Sequence, residues 1–476
     1  MVSKKMRKNK DMKQIIIVMF FFVLSQQIFS QEGQKIKEPK VDKRVELLCI
    51  VFRLAGNEEY NATYFKKYTD KVESHFNQYK DHEIIKFARE LRNKKGISYE
   101  AVVNMAIILD DRLNPIINLS TTLPERWSKD ETIKFVRLLR KFYKDAKCEE
   151  FFNDNEALFQ EVAARFRPAY EKLDLNWYSS FYGKKANENF NLIVSIGCGA
   201  QNYGPSYMLP DAKKEVFAIM GTWKVDESGM PVYEQDEYFP TIVHEFNHSF
   251  INPLLAKYKE SFEESGKGIY KAVEYEMSRQ QAYGNWEIML NEALVRASVI
   301  EYFTDHIASE SEIQMMLNNE SNKGFLWIKG LVAELKKYDN QRDIYPTLES
   351  YLPNLSNAYK TFEDKISQFD AQRPKVESIT EFANNDASVS SQTKTITINF
   401  DSALSGKGYS VNLGSKGKPA FPKLDKIYYT NDNKSVVMEV QLMPNQEYQF
   451  ILTGKNFKTP AGIALKTYEM NFKTTE

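Results

Sequence analysis

Cysteine is scarce: only Cys49, Cys148 and Cys198 occur in a chain of 476 residues. That excludes a disulfide framework and a cysteine-ligated zinc site, and leaves room for one pair with one thiol over. An excess of one charge is also missing, with 64 basic and 64 acidic residues. Residues 1–30 hold six basic residues and one acid, so the chain without them carries a net charge of about −5. No basic footprint for nucleic acid remains. Histidine is rarer than chance would supply, with five in the whole chain.

The N-terminus has no apolar run long enough for a membrane span. Lys4, Lys5, Arg7, Lys8, Lys10 and Lys13 precede an apolar core of ten residues, Ile15 to Leu24, and Ser25 or Ser30 offers a small residue at a cleavage point. The core is too short for a typical spanning helix, so residues 1–30 read as a secretory signal peptide, with an uncleaved N-terminal anchor as the alternative. No cysteine stands at the cleavage point, which argues against lipid modification. The expected location is therefore periplasmic or secreted to the cell surface of a bacterium, with no membrane span after cleavage.

Against that scarcity of histidine, two lie four residues apart in His244-Glu245-Phe246-Asn247-His248. On a helix, positions four apart share a face, so both imidazoles can aim at one point, and that point suits zinc. Glu245 is rotated about 100° from His244, where its carboxylate can deprotonate a zinc-bound water instead of ligating the metal. Chance supplies this pattern in well under roughly one such chain in a hundred. Asp236 and Glu237 suit the positive end of a helix, Pro240 is acceptable in a first turn, and Ile242, Val243, Phe246 and Phe250 supply packing.

Two histidines leave tetrahedral zinc short of a protein ligand while a catalytic site keeps one position for water. The downstream candidates are Glu287, Glu292, Asp305 and His306. The Asn291-Glu292-Ala293 stretch, on a helix after H-E-x-x-H, resembles the signature of gluzincin metallopeptidases of the thermolysin and aminopeptidase type, and the resemblance implies Glu292 as third ligand. In thermolysin-type sequences an Asp follows four residues later to orient a zinc-bound histidine; here Arg296 stands in its place. Tyr270, Tyr275, Tyr283, Arg296 and His306 remain open as the group that would stabilise a developing oxyanion.

Residues 41 to about 180 read as helices. The expected spans include Val45–Leu54, His82–Leu91, Ser98–Leu109 with a Ser-x-Glu cap-like start, Lys129–Asp145 and Asn155–Leu173, punctuated by Gly56, Gly96, Pro115 and Pro124. His75 and His82, seven apart, could share a helix face, but no acidic partner accompanies them and a structural role is expected. Strands are expected at Asn191–Ile196 and Glu215–Trp223, with a hairpin turn at Asp226–Gly229. By analogy with zincins, residues 215–223 would pair with an extended substrate.

The span from Val41 to about Gln372 also resembles an uncharacterised bacterial family, domain of unknown function 4932. The likeness is carried by Val45 to Tyr60, Tyr79-Lys-Asp-His82, His244 to Pro253 and Asn291-Glu-Ala-Leu294. It implies one catalytic unit and says little about substrate. After Arg373-Pro374 the composition changes to alternating strands at Val376–Ile379, Thr395–Phe400, Ser435–Leu442, Tyr448–Leu452 and Tyr468–Phe472. The segment Pro444 to Thr474, with Tyr448-x-Phe450, Gly454 and Phe472-Lys-Thr474, resembles bacterial Ig-like repeats appended to exported enzymes.

The expected architecture is α+β. A mainly helical zincin-like unit spans 41–372, with a helical front part at 41–185 and the sheet and H-E-x-x-H part at 186–372; an all-β Ig-like sandwich spans 375–476. The expected function is that of an exported zinc metallopeptidase acting on a peptide or protein substrate. His244, His248 and Glu292 would hold the metal, Glu245 would act as general base, and the Ig-like segment would contact the cell surface. The rival is a catalytically inactive zincin-like cell-surface binding protein, for which Glu245 would have no use.

Overall fold

The computed structural model describes residues 36–476 except 125, 184–187, 210, 212 and 307. The expected signal peptide, residues 1–30, lies outside the described residues. Among those described, no helix is long and apolar enough to cross a membrane. The fold is mixed α+β, with many helices and, among the described residues, three small sheets. It divides into two compact units, one running to Phe250 with Pro346–Leu348 added, the other comprising Ile251–Tyr345 and Glu349–Glu476.

The first unit is built around helix α1 (Lys43–Ala55), which is apolar on nearly all faces and buried from Val45 to Ala55 except at Arg53. A helix of that kind must be a core element. Asp42 caps its start by accepting from the Arg44 amide, and Gly56 ends it in the left-handed region at φ 90°, where glycine carries no Cβ penalty. Helices α2 (Lys66–Phe76), α3 (Glu83–Lys95), α4 (Glu100–Ile107), α5 (Lys129–Asp145), α6 (Cys148–Asp154), α7 (Glu156–Phe166) and α8 (Asn176–Tyr182) follow. A full capping box between Ser128 and Glu131 starts α5 where the sequence placed it. The expected helix over 155–173 ends at Phe166 instead, and Arg167–Ala169 turns as 3-10 helix, because Pro168 has no amide to continue the ladder. Ser98 does not cap α4: its hydroxyl turns back to the Gly96 carbonyl and the helix begins at Glu100.

His75 and His82 do not share a helix. His75 sits on α2 with its Nε2 2.8 Å from the Ala146 carbonyl oxygen and its ring against Phe76 and Phe151. His82 caps α3, its Nδ1 accepting from the Ile84 amide, while Nε2 meets Asp145 at 3.2 Å. The shared helix face is therefore not formed, and His82 has an acidic partner in Asp145 that the sequence did not show.

Strands β1 (Lys40–Val41), β2 (Glu188–Val194), β3 (Ser206–Met208) and β4 (Lys214–Met220) form a sheet in the order β1-β2-β4-β3. The β1–β2 and β2–β4 pairs are parallel and only β3 is antiparallel. The continuous apolar stretches of β2 and β4 suit strands covered on both faces. Strand β4 is therefore interior, with β2 on one side and β3 on the other, so the expected substrate pairing at residues 215–223 has no free edge to use. Among the described residues the outer strands of this sheet are β1 and β3. The expected hairpin at Asp226–Gly229 is a tight turn closed by the isolated Val225–Pro231 bridge, without flanking strands. Helix α9 (Gln235–Lys257) comes next. It starts five residues before Pro240, so this proline lies in the second turn, where the Asp236 carbonyl loses its usual amide donor.

The second unit holds α10 (Lys259–Tyr275), a π-helical turn at Glu276–Gln280, α11 (Trp286–His306), α12 (Glu310–Asn322), α13 (Ile328–Asp339) and most of α14 (Leu348–Gln372). Strands β5 (Val376–Ile379), β6 (Thr395–Phe400), β7 (Val411–Leu413), β8 (Lys423–Thr430), β9 (Ser435–Gln441), β10 (Glu447–Leu452) and β11 (Tyr468–Lys473) complete it. They make two antiparallel sheets, β5-β6-β9-β8 and β11-β10-β7. Ile396, Ile398, Phe400, Val436 and Met438 from one sheet share a core with Phe450, Leu452, Met470 and Phe472 from the other. Arg373, at the composition break, ties the end of α14 to this segment through the Leu465 carbonyl at 2.9 Å.

Candidate metal centre

Helix α9 carries the histidine pair, and its other faces explain why the pair is held. Ile242, Val243 and Phe246 are fully buried. The Phe246 ring meets Phe190 edge-on at 5.1 Å and Tyr182 stacks on Phe250 at 4.5 Å. Tyr182 also donates to Asn247 Oδ1 at 2.7 Å, a buried polar contact within the motif itself. At the helix start, Trp223 lies flat on Tyr238 with ring centroids 3.9 Å apart, and Asp236 and Glu237 face the positive helix end. Lys214 reaches the carbonyl of Ser249, the residue that follows the motif.

The approach of β3 to this helix is equally close. Gly204, just before β3, packs against the backbone of Glu245 so tightly that a Cβ there would lie 2.1 Å from the Glu245 carbonyl oxygen. Only glycine fits such an approach. Ser249 donates to the Gly204 carbonyl at 3.4 Å. Thus this outer strand is pinned beside the general-base candidate, and Glu245 is itself buried.

His244 and His248 bring their Nε2 atoms 3.1 Å apart, with the rings nearly perpendicular. Two nitrogens bound to one tetrahedral zinc at 2.0–2.1 Å would be separated by about 3.3 Å, so the pair is already close to the required convergence. Ligating atoms of His244, His248 and Glu292 all lie within 4.8 Å of one another. Two neutral imidazoles and one carboxylate are the donor set of a three-ligand zinc site. The residues present fit the metal.

Glu292 is held by its own network. The Tyr283 hydroxyl donates to Glu292 Oε2 at 3.0 Å and accepts from the Arg296 guanidinium at 2.8 Å. Arg296 also approaches Glu292 Oε2 at 3.5 Å, pairs with Glu320 at 2.9 Å and lies over the Phe325 ring. Burial, reinforced by the neighbouring Glu292 carboxylate, pushes the Tyr283 hydroxyl well above its ordinary pKa, so it stays a donor. The arginine standing where thermolysin-type sequences have Asp therefore acts on the carboxylate side of the site.

Of the other third-ligand candidates, Glu287 pairs with Lys259 at 2.6 Å. His306 is turned onto the Tyr302 carbonyl and ring. Asp305 raises the pKa of Glu301, secondary to burial, which together move Glu301 to about 8. None of these is in the histidine group among the described residues. Tyr270 donates to the Tyr283 carbonyl, a positioning contact within the second unit. The roles of Tyr283 and Glu320 on Glu292 were not visible in the sequence, because they are nine and 28 residues away with no fixed spacing rule; the Glu292–Arg296 pair at i, i+4 was.

The family model described as Domain of unknown function (DUF4932) matches residues 39–358. No curated protein matches the chain. Among solved structures it is similar to surface layer protein SbsC, domains 1-6, at 14% identity over 50% of this chain and 33% of that one, with a TM-score of 0.17. It is also similar to the S-layer protein rSbsC(31-844), at 11% identity over 83% of this chain and 46% of that one, TM-score 0.16. A third is the N-terminal part of bacterial S-layer protein SbsC, at 12% identity, 83% and 79% coverage and TM-score 0.16. The chain spans a third of the first of these, and likeness at such scores carries no argument about fold or function.

Proposed function

The chain belongs to the DUF4932 family, and for this member of it we propose zinc-dependent hydrolysis of peptide bonds outside the cytoplasm. The observation that carries the reading is the grouping of His244, His248 and Glu292 with ligating atoms within 4.8 Å of one another. Support comes from Glu245, a buried carboxylate next to the first histidine, which a metal-storing or structural site would not need. Zinc held by this group would act as a Lewis acid and lower the pKa of a water to about 7.

The chain's own residues would do the rest. A Glu245 carboxylate oxygen takes the proton from the attacking water and passes it to the leaving amine. Tyr283 and Arg296 hold Glu292 in one orientation, since each offers a donor to its Oε2 face. An extended peptide would add to the outer edge of β3, which Gly204 pins beside Glu245. In this reading the part containing α9 is zincin-like, residues 375–476 are an Ig-like module that contacts the cell surface, and residues 1–30 direct export.

The test is a pair of substitutions assayed for metal content and for turnover of a fluorogenic peptide mixture. Glu245→Gln is expected to keep zinc and lose nearly all turnover, whereas Glu292→Ala loses both. Loss of zinc in Glu245→Gln, or full zinc in Glu292→Ala, contradicts the assignment of roles. A zinc-loaded wild type that cleaves nothing in the mixture favours the binding-protein reading instead.

A further inference from the structure

Deep in the first unit, two of the three cysteines meet. Cys49 lies on α1 and Cys198 in the turn after β2, 149 positions apart in sequence, and their Sγ atoms are 3.1 Å apart. That is shorter than an ordinary non-bonded contact of roughly 3.5–4.0 Å between heavy atoms and about 1 Å longer than a disulfide bond. Both residues are almost fully buried. We propose that Cys49 and Cys198 are joined by a structural disulfide that locks α1 to the turn following β2.

The surroundings are shaped for that junction. Glu46, one turn before Cys49, accepts from Ser195 Oγ at 2.7 Å and from the Ile196 amide at 3.0 Å, fastening the turn onto the helix. Ser195 Oγ in turn accepts from the Cys198 amide at 3.3 Å. Glycine stands on both sides of Cys198; a Cβ at Gly197 would lie 2.9 Å from the Cys49 Cβ and 2.7 Å from Glu46 Oε2. The turn can therefore come no closer with any other residue there. Cys148 is buried separately on α6, and its sulfur faces the Phe142 carbonyl. It is the thiol left over.

Chemically the step is thiol–disulfide exchange with a small-molecule disulfide or a thiol oxidoreductase of the oxidising compartment that an exported chain enters. The two S–H bonds break, the Cys49–Cys198 bond forms, and the donor disulfide is reduced to two thiols that take up both protons. Burial pushes the Cys49 thiol well above its ordinary pKa, so exchange after folding is slow and the bond forms while the chain closes. This inference is independent of the metal reading.

The test is to unfold the full-length chain with reductant, refold it in a mixture of reduced and oxidised glutathione, unfold it again in denaturant with an alkylating agent, digest and map the peptides. The expected result is a linked pair containing Cys49 and Cys198, with Cys148 alkylated. The oxidised protein should unfold on the order of 5–10 °C above the reduced one, and the difference should vanish in Cys198→Ser. Alkylation of all three cysteines in a chain that had refolded before the denaturant was added, or a link that includes Cys148, overturns the proposal. If Cys198→Ser fails to fold, the wild-type peptide map decides alone.

Discussion

Replacing Tyr283 by Phe keeps the ring, including its packing 6.3 Å from Phe325, and deletes one oxygen. That oxygen gives Glu292 Oε2 a 3.0 Å hydrogen bond and receives one of 2.8 Å from Arg296. Removing a group that orients a ligand costs roughly 10- to 100-fold in metal affinity, about 1.4–2.7 kcal/mol. The structure favours the lower end, because Arg296 already stands 3.5 Å from the same carboxylate oxygen and can close on it when the hydroxyl is gone. Tyr283→Phe should therefore weaken zinc binding about tenfold, and Tyr283→Phe combined with Arg296→Met should approach a hundredfold. Competition against a chromophoric chelator, with circular dichroism to confirm the fold, measures both. Unchanged zinc affinity in the folded double variant would refute the idea that this network orients Glu292.

Burial, against the hydrogen bonds from Ser195 and Ile196, raises the Glu46 carboxyl from its ordinary value to about 7. The unfolded chain releases this proton near pH 4.5, so between about pH 4.5 and 7 the folded state binds more protons and stability falls as pH rises, by up to about 3 kcal/mol, then levels off. Denaturant melts of wild type and Glu46→Gln should differ in slope over that window, and parallel profiles count against the buried-carboxyl account. Residues 375–476, which share one apolar core of their own, should unfold cooperatively with a β-type circular dichroism spectrum when expressed alone; a disordered product would mean they depend on the helices before them.

The local signals were the legible ones. His244 and His248 meet because four residues make one helical turn, and the Ser128–Glu131 box starts α5 because both partners lie within one turn. The strands of the tail with clean alternation, such as Thr395–Phe400, were equally readable. Strand β8 was not: Lys423, Asp425 and Lys426 interrupt its apolar pattern because it lies at a sheet edge, where charge protects against pairing with other chains. Strand order was hidden as well, which is why β4 looked like a free edge until β3, three residues long, was seen to cover it. The Cys49–Cys198 approach and the Tyr283–Glu292–Arg296–Glu320 network depend on tertiary closure, for which spacing offers no rule.

The most direct test of the metal centre is the zinc content of the full-length chain, stripped with chelator, dialysed against zinc and measured by mass spectrometry of the metal beside His244→Ala. One zinc per wild-type chain and almost none in folded His244→Ala is the expected result; a folded wild type that takes up no zinc, or a His244→Ala chain that keeps its full complement, contradicts the site.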